Sequence, residues 1–398
     1  MPGSILTLNA GSSSVKFALF DADTLAPTVR GAITDMDGSP RLEARTRDAL
    51  APAARLWEAQ TPFENVLRDL IDFAREHAGQ DGLAAAGHRI VHGGPDHVAP
   101  APVTPQLMEE LDALTPLDPL HMPRNLALLR SVADAFPALP QFVCFDTAFH
   151  HDMPAAAQAV ALPATIRGKT IRRYGFHGLS YEYIARQLAA TAPGMAAGRV
   201  IVAHLGAGAS LCAMHAGRSI ATTMGFSVLD GLMMATRCGT IDPGVILYLG
   251  RQGHSFAEIE DMLYHRSGLL GLSGISGDMR VLLASETQQA RAAIDLFAYR
   301  IAVEIGGLVS ALGGIDALVF TAGIGAHAPA IRKAVCARLA WLGLHMDSAA
   351  NENGAEVIAA TDSKVDVRVI ATDEEAMIAH HAQAILHAQA RPMAAAHG

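Results

Sequence analysis

Ile5–Leu6–Thr7–Leu8, then Asn9–Ala10–Gly11–Ser12–Ser13–Ser14, then Val15–Lys16–Phe17–Ala18–Leu19–Phe20 reads as an apolar strand, a tight polar turn and a second strand. Nearly 200 residues later the plan returns. Val200–Ile201–Val202–Ala203 leads into His204–Leu205–Gly206–Ala207–Gly208–Ala209–Ser210 and then Leu211–Cys212–Ala213–Met214. Aligning Asn9 on His204 superposes Gly11 on Gly206. Two such hairpins, each opening one half of the chain, predict two similar α/β halves facing a cleft.

Between the hairpins, Phe63, Val66, Leu67, Leu70, Ile71 and Phe73 carry helical spacing, and proline-rich connections lie around 99–105. A long helix is expected over 291–312, with Ile294, Phe297, Ile301, Ile305, Leu308 and Leu312 on its apolar face. It should pass through Gly313–Gly314 into a strand at 317–320 and a loop at 321–325. A last strand, 367–370, precedes Thr372–Asp373–Glu374–Glu375, a helix start capped by Thr372 or Asp373. The alanine-rich tail after Gln389 is expected to fray. The apolar stretch 305–331 contains Asp316 and many glycines, which fits a helix end, a buried strand and a loop better than a membrane span.

At 398 residues, two domains are the default. A 51% hydrophobic content can fill a large core, and the net charge of −9 argues against nucleic-acid binding. Cys144, Cys212, Cys238 and Cys336 form no CxxC pair, which points to a reducing, cytoplasmic setting without a disulfide framework or zinc site. The N-terminus has no basic n-region and turns polar at Asn9, unlike a signal peptide.

Against this acidic background three arginine sites stand beside glycines: 87–94 around Arg89, 171–178 with Arg172 and Arg173, and Thr236–Arg237–Cys238–Gly239. Cationic forks near backbone that a ligand can approach suit phosphate and carboxylate. Glycine turns follow apolar strands at 9–14, 204–210 and 323–325. None matches GxxxxGK[ST] or a GxGxxG opening a βαβ unit. Each alone is most simply a hairpin turn; together with the arginines they favour nucleotide phosphate. Lys16 is either on the phosphate side or a solvated lysine at a sheet edge. Asp146 ends the run Phe142–Phe145, where open α/β sheets bind ligands, unless it is a helix cap. His150 and His151 lack a spaced third ligand. Asp278 and Arg280 alone would be an exposed surface pair. His177 and His204 stand inside glycine turns, whereas His88 and His92 are expected to be structural.

In order and over nearly the whole chain, these motifs resemble the acetate and propionate kinase family of the actin, hexokinase and Hsp70-like superfamily. The stretches that carry the resemblance are 8–16, 87–94, 145–150, 172–180, 224–226, 231–234, 241–243, 276–280, 319–325 and 372–375. The resemblance implies a duplicated ribonuclease H-like α/β fold. Its N-terminal, carboxylate-side domain would comprise 1–148 with 374–398, and its nucleotide-binding domain 149–373. It implies reversible transfer of the ATP γ-phosphoryl group to acetate, giving acetyl phosphate and ADP, with Mg²⁺ or Mn²⁺, by a cytoplasmic homodimer that needs neither membrane nor nucleic acid.

Carried over by residue, Asn9 and Glu374 help hold the metal, and Arg89 binds the carboxylate, with Val91, His121, Phe176 and Val228 in its pocket. Asp146 is the active-site acid, and His177 and Arg237 stabilise the transition state. Ser12, Ser14 and Lys16, His204, Leu205, Gly206, Ala207 and Gly208, Asp278, Met279 and Arg280, and Gly323, Ile324, Gly325, Ala326 and His327 surround the nucleotide. The chain departs from the family pattern at Ala207 (usually Asn), Ala326–His327 (usually Glu–Asn), Val228 (usually Pro), Met122 (usually Asn) and Cys238–Gly239–Thr240 (usually Ser–Gly–Asp).

A carboxylate acceptor is already ionised at pH 7, so Asp146 is expected to orient an arginine or a hydrated metal rather than take a proton. The alternatives are a propionate or butyrate kinase, or a non-catalytic ATP-dependent switch. The switch leaves Arg89 and Arg237 unexplained.

Overall fold

The computed structural model describes residues 3–11, 14–36, 38–47 and 53–395, in two compact units: Met1–Ala148 with Asp373–Gly398, and Phe149–Thr372. The first unit is built on β1 (Ser4–Ala10), β2 (Val15–Asp21), β3 (Pro27–Thr34), β4 (Arg41–Thr46), β5 (Ala53–Leu56), β6 (Leu83–Ile90), β7 (Ala101–Pro102) and β8 (Gln141–Phe145). These form one sheet in the order β5-β4-β3-β2-β1-β6-β8-β7. β1 runs antiparallel to β2 and parallel to β6, and β6 runs parallel to β8.

Helices cover both faces of this sheet, which explains why every residue of β1 is buried. Alternate residues of β1 point to opposite sides. Leu6 and Leu8 join Phe17, Leu19 and the helix Phe63–His77 through Val66, Leu67, Leu70 and Ile71. Ile5 joins Ala18, Phe20 and the C-terminal helix through Ala379, Ala382 and Leu386. Truncating a fully buried leucine such as Leu6 to alanine would cost about 2–5 kcal/mol.

In the second unit β9 (Arg199–Leu205), β10 (Ala209–His215), β11 (Arg218–Thr222), β12 (Ala317–Thr321) and β13 (Asp366–Val369) form a sheet in the order β11-β10-β9-β12-β13. β9 is antiparallel to β10, which is antiparallel to β11; β9 is parallel to β12, and β12 to β13. This repeats β3-β2-β1-β6-β8 strand for strand and sense for sense. The register agrees as well: Asn9 pairs with Lys16 and His204 with Ser210, each one step before its turn closes. The chain therefore has the duplicated actin/hexokinase-like α/β fold.

The long helix runs Gln288–Leu312, three residues earlier than its apolar spacing indicates, because Thr287 caps it by accepting from the Ala290 N–H. Gly313 ends it in the left-handed conformation at φ 70°. One expectation is corrected. Residues 322–327 form a helix, Ala322–His327, rather than a loop. The buried Arg332 donates to the carbonyls of Gly325 and Ala326, both at 2.9 Å, and so satisfies the end of that glycine-poor-propensity turn. The C-terminal helix is Glu374–Ala395, whose start Asp373 caps through the Ala376 N–H; the end of the alanine-rich tail, 396–398, lies outside the described residues. Among the described residues no helix is long and apolar enough to cross a membrane.

Candidate active site

In the first unit the carboxyl ends of β1, β6 and β8 converge. Arg89, near the end of β6, donates through Nη2 to Asp146 Oδ2 at 2.5 Å, just beyond β8. Through Nη1 it reaches Asn9 Oδ1 and the Ala10 carbonyl, each at 3.3 Å. Burial alone would lower the Arg89 pKa, but the adjoining Asp146 charge outweighs it and raises the pKa above the ordinary arginine value. Arg89 Nε, also buried, makes no hydrogen bond among the described residues. Asp146 thus grips a guanidinium.

Asn9 links this pair to the C-terminal helix. Its Nδ2 donates to Glu374 Oε2 at 2.8 Å and Glu375 Oε1 at 3.1 Å. Burial raises the Glu375 pKa, a push that Lys16 across the hairpin opposes. Sequence reasoning missed Asn125, which accepts the Val91 N–H at 2.9 Å and donates to the Ala10 carbonyl at 3.0 Å, tying β1 to the segment after Arg89. An asparagine inside a helix carries no sequence signal for such a bridge.

His121 is buried at the start of the helix Met122–Ala135 and bonds Asp118 through Nδ1 at 2.9 Å. Burial would raise the Asp118 pKa, but the His121 contacts prevail and lower it. Val91 is buried. His88 is structural as expected: its Nε2 meets Gln141 at 2.9 Å and burial pushes its pKa down to about 4. Lys16 is exposed on β2, inside the sheet rather than at its edge, and lines a depression with Arg30, Arg45 and Glu375. Ser14 closes the first turn through its carbonyl and the Gly11 N–H at 2.8 Å, while Ser12 lies outside the described residues.

In the second unit the β9–β10 turn is the focus. Gly208 leaves room that other residues would fill: a Cβ there would lie 2.7 Å from Arg237 Nη2 and 3.3 Å from His177 Nε2. Arg237 is aimed by Nη1, which donates to the Val228 carbonyl at 2.7 Å. Ala207 contributes its carbonyl to the Ala235 N–H at 3.1 Å, attaching the turn to the Arg237 loop. His177 adopts the left-handed conformation, φ 59°, at the start of the helix Gly178–Thr191. The preceding Gly175, φ +76°, accepts no side chain, since a Cβ would meet His150 and Thr222 at 2.6 Å. His177 and His204 stack, with ring centroids 4.1 Å apart and planes 12° from parallel.

The helix Ala322–His327 follows β12, the neighbour of β9, so Gly323, Ile324, Gly325, Ala326 and His327 start from the same sheet end as the turn Gly206–Gly208. Asp278 caps the helix Met279–Ala284 and pairs with Arg280 at 2.6 Å, where Arg280 is 92% exposed. Such a pair is worth little to stability. Leu205, Met279 and Phe176 are buried.

The residues expected to hold a metal have suitable chemistry. Magnesium takes hard oxygen donors, commonly one or two carboxylates completed by waters and phosphate oxygens. Glu374 and the amide of Asn9 adjoin, while no cluster of three or more His, Cys, Asp or Glu exists among the described residues. They fit a cation held jointly with a phosphate, not a closed protein cage.

Residues 4–380 match the model of the acetokinase family. The chain is 51% identical over 386 residues to an acetate kinase of Rhodopseudomonas palustris strain CGA009, covering 95% of this chain and 97% of that protein. It is 44% identical to an acetate kinase of Rhizobium meliloti, covering 96% and 98%. Among solved structures it resembles a propionate kinase from Francisella tularensis, with a TM-score of 0.89, 37% identity, and coverage of 96% and 99%. It also resembles Porphyromonas gingivalis acetate kinase, with a TM-score of 0.85, 33% identity and the same coverage. The chain belongs to the acetokinase family, phosphotransferases with a carboxyl acceptor.

Proposed function

We propose that the protein is a magnesium-dependent acetate kinase, transferring the γ-phosphoryl group of ATP to acetate and back. The observation that carries this reading is the pair of fixed arginine forks, Arg89 on Asp146 and Arg237 on the Val228 carbonyl. Two anions must meet, and each arginine offsets part of their repulsion.

The acceptor, with a pKa of roughly 4–5, is a carboxylate at neutral pH and needs no general base. One of its oxygens forms the new bond to the γ-phosphorus, while the bond to the β–γ bridging oxygen breaks and ADP takes the electron pair. Arg89 receives the carboxylate, with Val91, His121, Phe176 and Val228 shaping the acyl side. His177 and Arg237 donate to the equatorial oxygens of the transferring group. Asp146 holds Arg89 in aim and accepts no proton. His204 to Gly208, Asp278 to Arg280 and Gly323 to His327, with Ser12, Ser14 and Lys16, contact the nucleotide. Glu374 and Asn9 would hold magnesium, which supplies charge neutralisation on the phosphates.

Two features extend this proposal. The helix Pro243–Arg251 is apolar yet buries none of its residues, with Leu247 61% and Tyr248 58% exposed; this supports a homodimer through that face. All four cysteines are free, which supports a cytoplasmic setting. A preference for propionate is the second reading, favoured by the Francisella likeness and by Val228 where the family usually has proline. Hydroxylamine trapping of acyl phosphate across acetate, propionate and butyrate tests both: kcat/KM should be highest for acetate. ATP binding without acyl phosphate from any of the three would defeat the kinase reading.

A further inference from the structure

The stacked imidazoles of His177 and His204 share one arrangement. Each is anchored at Nδ1 by a serine hydroxyl, His177 by Ser210 Oγ and His204 by Ser180 Oγ, both at 2.8 Å. Each turns its other nitrogen toward the glycine turn. A Cβ on Gly208 would lie 3.3 Å from His177 Nε2, and one on Gly206 would lie 3.9 Å from His204 Nε2. Ser210 is wholly buried, and its Oγ is also 2.5 Å from the hydroxyl of Tyr181, one turn along the helix that His177 begins.

A serine hydroxyl has one proton. The phenol of Tyr181 is the more acidic of the two hydroxyls and so the better donor to Ser210 Oγ, and the serine's own proton then has His177 Nδ1 as its acceptor. That nitrogen must then be the unprotonated one, and the ring's hydrogen resides on Nε2, beside Gly208 and Arg237. The opposite tautomer would present a lone pair there, which repels phosphate oxygens. Two rings 4.1 Å apart also disfavour a charge on both. With Nδ1 accepting from Ser210, His177 is neutral and serves as an N–H donor through Nε2.

We propose that Ser210 and Tyr181 are positioning residues that hold His177 as its neutral Nε2–H tautomer, so that it presents a donor to the phosphoryl group. This rests on the kinase reading of the site. Neither hydroxyl touches substrate in this scheme; both act through His177.

The test combines a spectroscopic and a kinetic readout on the full-length protein. In protein labelled with ¹⁵N-histidine, the His177 signals are assigned by their loss in His177→Gln. The wild type should show a protonated Nε2 and an unprotonated, hydrogen-bonded Nδ1. In Ser210→Ala the two nitrogens should move toward the averaged shifts of mixed tautomers, and kcat should fall roughly 10–100-fold with KM for ATP and acetate nearly unchanged. Tyr181→Phe, which retains Ser210, should shift the same signals less, and it keeps the test available if Ser210→Ala does not fold. A wild-type Nδ1–H tautomer, or unchanged shifts in Tyr181→Phe and in a folded Ser210→Ala, would overturn the proposal. Because the NMR signature needs no turnover, a protein that makes no acyl phosphate yet shows the predicted shifts would refute the kinase reading and leave the tautomer assignment standing.

Discussion

Asp146→Asn separates a positioning carboxylate from a catalytic base. The native pair is nearly dry: the Asp146 side chain is 0% and the Arg89 side chain 11% exposed, with atoms 2.5 Å apart. Removing one partner of a buried pair strands the other charge and costs about 3–5 kcal/mol. The asparagine oxygen can still accept from Nη2, and Arg89 keeps Asn9 Oδ1 and the Ala10 carbonyl, so the lower end, about 3 kcal/mol, is expected. In a unit of this size that lowers Tm by about 6–12 °C. Of the two tryptophans, Trp57 is buried in the first unit and Trp341 is 70% exposed in the second, so fluorescence on unfolding reports mainly the first unit. Arg89→Met should also destabilise, and the double variant should lose less than the sum by more than about 1 kcal/mol. The rate should fall while the kcat–pH profile keeps its shape. An unchanged Tm with additive single effects would refute the argument. So would an acid limb in the wild-type profile that disappears in Asp146→Asn, the mark of a general base.

Other perturbations follow from the same geometry. Gly208→Ala puts a Cβ 2.7 Å from Arg237 Nη2, the movable end of a long side chain, so steady-state kinetics should show a large drop in kcat with little loss of Tm. His88, neutral when folded with a pKa of about 4 against 6.5 when unfolded, binds its proton more readily in the unfolded chain. Its contribution is complete above pH 6.5 and is lost as pH falls toward 4, about 3 kcal/mol in all; urea unfolding at pH 7 and pH 5 should show this slope shrink in His88→Gln. Glu374→Gln should raise the magnesium concentration needed for half-maximal rate while leaving the Asp146-dependent stability intact. Leu247→Glu with Tyr248→Glu should convert a dimer to monomers in light scattering, and a dimer that persists would remove the Pro243–Arg251 helix from the interface.

What the sequence made legible was local. The two hairpins at 5–20 and 200–214 are antiparallel pairs joined by short turns, so alternation and glycine expose them directly. Their parallel neighbours are not local: β6 joins β1 from 73 residues after Ala10, and β12 joins β9 more than a hundred residues after Leu205. Only the repeat hinted at that partnership. The strands β3 to β5 were not read at all: β4 does alternate, with Leu42 and Ala44 buried between Arg41, Glu43 and Arg45, but the run is only six residues long and β3 alternates imperfectly.

In the sequence, charge unusual for its surroundings drew attention to Arg89, Asp146 and Arg237, and the structure pairs the first two. The site was illegible where neutral polar residues do the positioning: Asn125, Ser210 and Tyr181 act through contacts 29 to 115 residues distant in the chain. Arg332 carries a charge yet is buried against the helix Ala322–His327, a contact that nothing local in the sequence signals. That helix was misread as a loop because its glycines disfavour helix locally, while a tertiary hydrogen bond decides the matter.

Phosphoryl transfer to a carboxylate oxygen is the central claim, and isotope placement tests it most directly. With MgATP and acetate carrying ¹⁸O at both oxygens, ³¹P NMR should show acetyl phosphate whose phosphorus is bonded to one ¹⁸O, shifted upfield from the unlabelled resonance. ATP consumed without acetyl phosphate, or acetyl phosphate lacking ¹⁸O bonded to phosphorus, would contradict the account.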